Sequence, residues 1–229
     1  MGIANRIPIG DSQVIAFIST VQLHHADFLS SEELIIWQKK NHNRKKMEWL
    51  SARFSAKIAA LEWLKEVHNI ELPPDKIIIL NSLSGVPHFK LPLHLESPNL
   101  SLSHTDGKGL AAISYSSFIG CDIEKVKKRH PNFKKVFLTV KEIELWFQAE
   151  DIGNLNNDLV ETLLWSAKES VIKAILSKQK EIEISFLDIQ VSYKNSKDIL
   201  RSLEFSTINY TGPIICLVMD SYIITIAKI

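Results

Sequence analysis

The stretch LAAISYSSFIGCDIE, residues 110–124, decides how the rest of the chain is read. Apolar residues fill both of its ends and Ser116-Ser117 interrupts them, so it reads as two strands joined near that pair. Upstream, QVIAFIS (13–19) reads as a strand, and residues 30–67 as one or two helices with Ser30 or Ser31 as cap and acids in the first turn. Met47, Leu50, Phe54, Ile58, Leu61 and Leu64 recur every three or four residues and mark one buried helical face. LPPDK (72–76) is a break, KIIIL (76–80) a short strand, NSLSG (81–85) a turn and NLSLS (99–103) an alternating strand. HTDGKG (104–109) reads as a loop with a turn signal at Asp106-Gly107. Downstream, TVKEIELWFQA (139–149) reads as a helix with Thr139 as cap and Glu142 three residues on, a capping-box pattern. DIGNLNND (151–158) is a loop and LVETLLWSAKESVIKAILS (159–177) a strong helix. From EIEISFLDIQVSY (181–193) onward the chain reads as strand after strand, and no short repeat is visible. Helices and strands segregate, so the class is α+β rather than a doubly wound sheet. Strand-helix-strand content on both sides of residue 115 points to two similar halves, 1–115 and 116–229, each a small sheet packed by helices.

Composition narrows the classes of function. The chain has 229 residues, 45% hydrophobic and 23% charged, with eight Gly and eight Pro, as in an ordinary folded domain. Lys+Arg is 27 and Asp+Glu 26, so a formal charge of +1 gives no general attraction to nucleic acid or an anionic membrane. No apolar run approaches a membrane span, no secretory signal opens the chain, and Arg6 stands where a myristoylation signal after Gly2 prefers Ser or Thr. Cys121 and Cys216 make no disulfide framework and read as buried hydrophobes in a reducing cytoplasm.

Four local patterns carry chemistry. In a strand, Asp122 and Glu124 share one face with Ile123 on the other, and their mutual repulsion is resolved by solvent, by pairing or by a divalent cation. Hard oxygen ligands at this spacing suit Mg²⁺. On the helix after Leu159, Leu164, Ala167, Val171 and Ala174 form the buried stripe, while Trp165, Glu169 and Lys173 lie on a neighbouring face. Glu169 and Lys173 alone would be a surface pair worth ~0.3–0.5 kcal/mol, but Trp165 beside them points to a half-buried site. Arg53 and Lys57 are two cations at i,i+4, either snorkelling side chains or a clamp around an anion. Ser103 and His104 close a strand, and no His–Cys spacing suits zinc.

Taken in order, RFSAK (53–57), SGVPHF (84–89), LSLSHT (100–105), IGCDIE (119–124) and WSAKESVIK (165–173) resemble the 4′-phosphopantetheinyl transferases. The likeness is to the larger, surfactin-synthetase-activating class, whose single chain holds two similar halves in a pseudo-twofold arrangement with the active site between them. It runs from about residue 44 to 175 and rests on the joint presence of G-x-D-x-E and W-x-x-K-E-x-x-x-K. The resemblance implies a cytoplasmic, monomeric transferase. It would move the 4′-phosphopantetheine arm of coenzyme A to a serine of an apo acyl or peptidyl carrier protein and release adenosine 3′,5′-bisphosphate. It implies Asp122, Glu124 and Glu169 as ligands of Mg²⁺, and Lys168 and Lys173 near the phosphates. Ser103 and His104 would lie at the coenzyme A pyrophosphate, Arg53 and Lys57 at its 3′-phosphate end, and Glu169, Lys173 and His104 would act in the reaction. Gly85-Val86-Pro87 matches the family's G-x-P turn but carries Val86 where Lys is frequent, so one phosphate contact would be either missing or supplied by a neighbour such as Lys90 or Lys108. The basic run Lys125, Lys127, Lys128 and Arg129 is either a solvated loop and helix start or, given the resemblance, a surface that would dock an acidic carrier. A non-catalytic relic that binds coenzyme A or a carrier is the alternative. A metal-dependent nuclease is disfavoured by the near-zero net charge.

Overall fold

The computed structural model describes residues 3–7, 13–24, 26–92, 95–148 and 155–229. Of the loop read at 151–158, residues 151–154 lie outside them, as do Met1 and Gly2. The chain divides into two compact units, Met1–Ile119 and Gly120–Ile229. Each is α+β, a small sheet packed by helices.

In the first unit, strands β1 (Ile3–Arg6), β2 (Val14–Thr20), β6 (Lys108–Ser114) and β5 (Asn99–Thr105) form an antiparallel sheet in the order β1-β2-β6-β5. The loop expected over 104–109 shrinks to a two-residue turn. His104 and Thr105 stay in β5, and Asp106 and Gly107 turn the chain with φ of 51° and 80°. Positive φ at both central residues matches the twist of a tight hairpin. A separate hairpin pairs β3 (Ile78–Asn81) with β4 (Pro87–Lys90). The region read as one or two helices is two: α1 (Ser31–Gln38), capped by Ser30 with Glu33 closing a capping box, and α2 (Asn43–His68). Asn69, in the left-handed conformation at φ 52°, ends α2.

One buried face was expected on α2, but the helix is enclosed on nearly all sides from Glu48 to Lys57. Ala56, Ala59 and Ala60 pack with Ile15, Phe17, Leu100, Ala111 and Ile113 of the sheet. Trp49, Leu50 and Phe54 pack with Val21, Phe28 and Leu29 in a second cluster. Small residues on the sheet side explain the miss, because Ser and Ala do not register as an apolar stripe. A Cβ on Gly109 of β6 would collide with the backbone of Ser51 and Ala52. The helix therefore lies backbone-close to the sheet, and Ser55 Oγ is 2.9 Å from both Ser19 Oγ and the Gly109 carbonyl.

The second unit holds β7 (Ile119–Lys125), β8 (Gln190–Tyr193), β9 (Leu203–Ser206), β10 (Thr211–Met219) and β11 (Tyr222–Lys228) in the order β7-β11-β10-β9-β8. Its helices are α3 (Lys134–Phe137), α4 (Val140–Phe147) and the long α5 (Asn157–Lys178). Thr139 and Glu142 make the expected capping box on α4. The stripe Leu164, Ala167, Val171 and Ala174 is fully buried. Residues 181–185, expected as a strand, are not in the sheet. Ile182 and Ile184 are half-buried against the core while their neighbours are exposed, so the alternation is that of a strand with no ladder partner among the described residues.

The same polar device occurs in both units. In the first, fully buried Lys57 of α2 donates to the capping-box Glu33 (2.6 Å) and to the carbonyls of Pro74 (2.9 Å) and Ile77 (2.5 Å). Glu33 in turn accepts from the Ile79 amide (3.3 Å). In the second, fully buried Lys168 of α5 donates to the capping-box Glu142 (2.7 Å) and to the carbonyls of Phe137 (2.8 Å) and Phe186 (3.0 Å). Glu142 accepts from the Val191 amide (3.0 Å). Both lysines close the same tripeptide, Ser55-Ala56-Lys57 and Ser166-Ala167-Lys168, behind an aromatic residue. A short repeat is therefore present. Its signature in the sequence is an aromatic followed by Ser-Ala-Lys.

Burial pulls both ammonium groups below the ordinary lysine range, and the adjoining glutamates pull the other way. Removing one member leaves the other charged and buried, which costs about 3–5 kcal/mol. Lys168→Met is expected to lose that much in urea unfolding, read as a lower midpoint at unchanged slope. Both cysteines are buried and neither is in a disulfide, and burial pushes the Cys216 thiol up to about 12. The unfolded thiol ionises first, so this group's contribution to stability is lost as pH rises above its ordinary value of 9.0. Ellman's reagent at about pH 8 is expected to leave both thiols of the folded protein unmodified and to label both in urea.

Candidate active site

The residues Gly120, Asp122 and Glu124 alternate along β7 and face α5. A Cβ on Gly120 would collide with the Ser170 carbonyl oxygen and the Ala174 amide, and would sit 2.8 Å from the Lys173 Cβ. The glycine thus lets helix and strand backbones touch. Two residues on, Asp122 receives the Lys173 ammonium at 2.8 Å, and Lys173 also donates to the Cys121 carbonyl at 3.1 Å. Two further on, Glu124 lies close to the Trp165 side chain, whose polar N–H favours the charged carboxylate. Along α5 the partners run from Ser170 and Ala174 at Gly120, through Lys173 at Asp122, back to Trp165 at Glu124. The shared face read for Asp122 and Glu124 is therefore the face on which α5 lies.

Electrostatics bind the group together. Burial raises the Glu124 carboxyl and Asp122 raises it further, against Arg129, Lys127 and Trp165. Burial likewise raises Glu169; Lys173 opposes it, and Asp122 and Glu124 add to it. Burial would lower Lys173, but Asp122, Cys121 and Glu169 together hold its ammonium above the ordinary range. Three mutually repelling carboxylates have the oxygen-donor chemistry that a hard divalent cation takes. Among the described residues, no group of three or more His, Cys, Asp or Glu is drawn close enough to hold a metal ion. Cations of the protein stand at two of the carboxylates instead: Lys173 on Asp122, and Arg129 on Glu124 at 3.3 Å.

The aromatic bed beneath these charges was not read from the sequence. Trp165 stacks on Phe186 with centroids 4.6 Å apart and meets Phe133 at 5.0 Å and Phe137 at 5.3 Å. Arg129 lies over Phe133 at 4.7 Å and Trp165 at 5.7 Å. The segment RHPNFKKVF reads as basic, yet it carries Phe133 and Phe137 one helical turn apart. That spacing was the available signal. Of the basic run, Lys125, Lys127 and Lys128 are exposed, whereas Arg129 is folded onto the site.

The remaining site candidates fall elsewhere. Lys168 points away from Glu169 into the Glu142 cluster, where its ammonium is fully occupied. Lys57 is committed in the same way to Glu33. The anion expected between Arg53 and Lys57 has a resident answer, because Glu33 bonds Lys57 and also acts electrostatically on Arg53. Arg53 is 6% exposed, lies 4.7 Å over Trp49, and donates to Asn81 at 3.0 Å. Burial lowers it to about 10. At the end of β5, Ser103 is buried and His104 exposed, with Nδ1 3.5 Å from Glu48, which also takes Arg44 at 3.0 Å. Lys90 pairs with Glu32 at 2.8 Å at the open end of the β3–β4 hairpin, opposite the turn in which Gly85 has φ 84°.

When the two Ser-Ala-Lys segments are superposed by sequence, Ile58 and Glu62 stand where Glu169 and Lys173 stand. The first unit thus keeps the buried lysine and lacks the carboxylate–lysine pair. In the second unit, Gly120→Ala must push α5 off β7. It is expected to cost at least about 3 kcal/mol, beyond ordinary overpacking, because the obstacle is backbone rather than a side chain. The thermal midpoint of the purified variant checks this.

Residues 118–227 match the model of the 4′-phosphopantetheinyl transferase superfamily. The matched segment covers β7, the three carboxylates, Trp165 and Lys173. No curated protein matches the chain.

Proposed function

We propose that this protein transfers the 4′-phosphopantetheine arm of coenzyme A to a serine hydroxyl of an apo acyl or peptidyl carrier protein, releasing adenosine 3′,5′-bisphosphate. The observation that carries the reading is the meeting of Asp122, Glu124, Glu169 and Lys173 across the Gly120 contact, inside the segment that matches the superfamily. Reaction at the β-phosphorus of coenzyme A spreads negative charge over phosphate oxygens, and catalysis is then mostly positioning and charge neutralisation. Asp122, Glu124 and Glu169 would hold Mg²⁺, which supplies Lewis-acid neutralisation of the pyrophosphate when bound. Lys173 would turn its ammonium from Asp122 to a phosphate oxygen. Burial keeps Glu169 basic enough to take the serine proton, and it is the proposed general base. His104 and Ser103 would contact the pyrophosphate and Arg53 the 3′-phosphate end. Lys57 and Lys168 could contribute only by giving up their glutamates, so their proposed part is structural. Exposed Lys125, Lys127 and Lys128 suit an acidic carrier surface.

The test is intact-protein mass spectrometry of a panel of apo carrier proteins incubated with this protein, coenzyme A and Mg²⁺. One carrier serine is expected to gain the mass of a single phosphopantetheine arm. EDTA and Asp122→Ala should abolish the gain, and Glu169→Gln should slow turnover by about 10²–10⁴-fold at saturating Mg²⁺. Tight coenzyme A binding with no gain on any carrier would replace the transferase by a binding relic.

A further inference from the structure

We propose that Arg129 is a displaceable counter-cation: its guanidinium occupies Glu124 in the metal-free protein, and a divalent cation taken up by Asp122, Glu124 and Glu169 moves it across to Glu161. The inference rests on the metal-site reading above.

Three observations separate Arg129 from the other paired cations. Its contact with Glu124 is a single one at 3.3 Å, from Nη2 to Oε2. A committed charge-assisted bond is shorter, about 2.7–2.9 Å, and arginine usually makes two in parallel. Its Nε is buried and makes no hydrogen bond. The residue is seated by the rings of Phe133 and Trp165, so it can release Glu124 without leaving its place. Lys168, by contrast, has three short partners and cannot be released singly.

A receiving carboxylate is at hand. Glu161 lies four residues before Trp165 on α5, on the helical face that carries Trp165 and Glu169. It is within electrostatic reach of Arg129, and its Oε1 is buried with no hydrogen-bond partner. Metal on Glu124 would repel the guanidinium and neutralise its present partner, and the shift to Glu161 then satisfies both residues. Arg129 would thus be a positioning residue that sets how readily the carboxylates accept metal.

Calorimetric titration with MgCl₂ alone, without coenzyme A, tests this on the full chain. Arg129→Met keeps the bulk that packs on the rings and removes the competing charge. It is expected to bind Mg²⁺ about three- to tenfold tighter than wild type. Glu161→Gln removes the acceptor and is expected to bind Mg²⁺ about two- to threefold more weakly. Lys135→Met, which removes a nearby charge that touches no carboxylate of the site, should change affinity less than about twofold. Arg129→Gln serves if circular dichroism shows that Arg129→Met has not folded. Mg²⁺ binding to wild type with equal or weaker binding to the Arg129 variant would overturn the displacement and leave the metal site standing. Absence of Mg²⁺ binding in every protein would overturn the metal reading and the counter-cation with it.

Discussion

A helix can rest on a strand at backbone distance only where no side chain intervenes, and Gly120 supplies that place. The contact of Gly120 with Ser170 and Ala174 fixes both the height of α5 over β7 and its register along it. Everything chemical in the second unit follows from that register. One step along the strand puts Asp122 under Lys173, and the next puts Glu124 under Trp165. A side chain at residue 120 would lift the helix, and the carboxylates would then be separated by solvent instead of repelling one another. Gly109 does the same for α2 and β6 in the first unit, where the facing residues are Ser51 and Ala52.

Much of this was legible before any coordinates. The period-two pattern of β7 put Asp122 and Glu124 on one side, and the oddity of Trp165 beside Glu169 and Lys173 announced a half-buried face. The caps Ser30 and Thr139 stand where their acidic partners three residues on placed them. What stayed hidden depends on long-range context. Lysines are rarely buried, so Lys57 read as a snorkelling cation or part of an anion clamp, and Lys168, by resemblance, as a phosphate contact, until Glu33 and Glu142 arrive from another helix. Arg129 read as one more charge in a basic run, because only the fold brings Phe133 and Trp165 beneath it. Residues 181–185 alternate like a strand but have no neighbour to pair with among the described residues, a fact about the sheet rather than about the segment.

The two units show how one scaffold carries unequal chemistry. Both keep the aromatic-Ser-Ala-Lys turn of helix, the glutamate that caps a neighbouring helix, and the amide that the glutamate receives. The scaffold is thus shared down to individual hydrogen bonds. Next to the buried lysine the units diverge, with Glu169 in one and Ile58 in the other. The buried lysine–glutamate pair is common to both units, and the carboxylate next to that lysine is present in the second alone.

The buried glutamates also bear on how each unit comes apart. The Glu142 carboxylate touches the start of α4, the middle of α5 and the start of β8, three elements far apart in the chain. Undocking any one of them would strand a charge or an amide in an apolar interior. Partly opened forms are therefore penalised at the centre of the unit, and fraying is confined to its periphery. A single carboxylate in this position makes the unit behave as one cooperative block, melting as a whole rather than element by element.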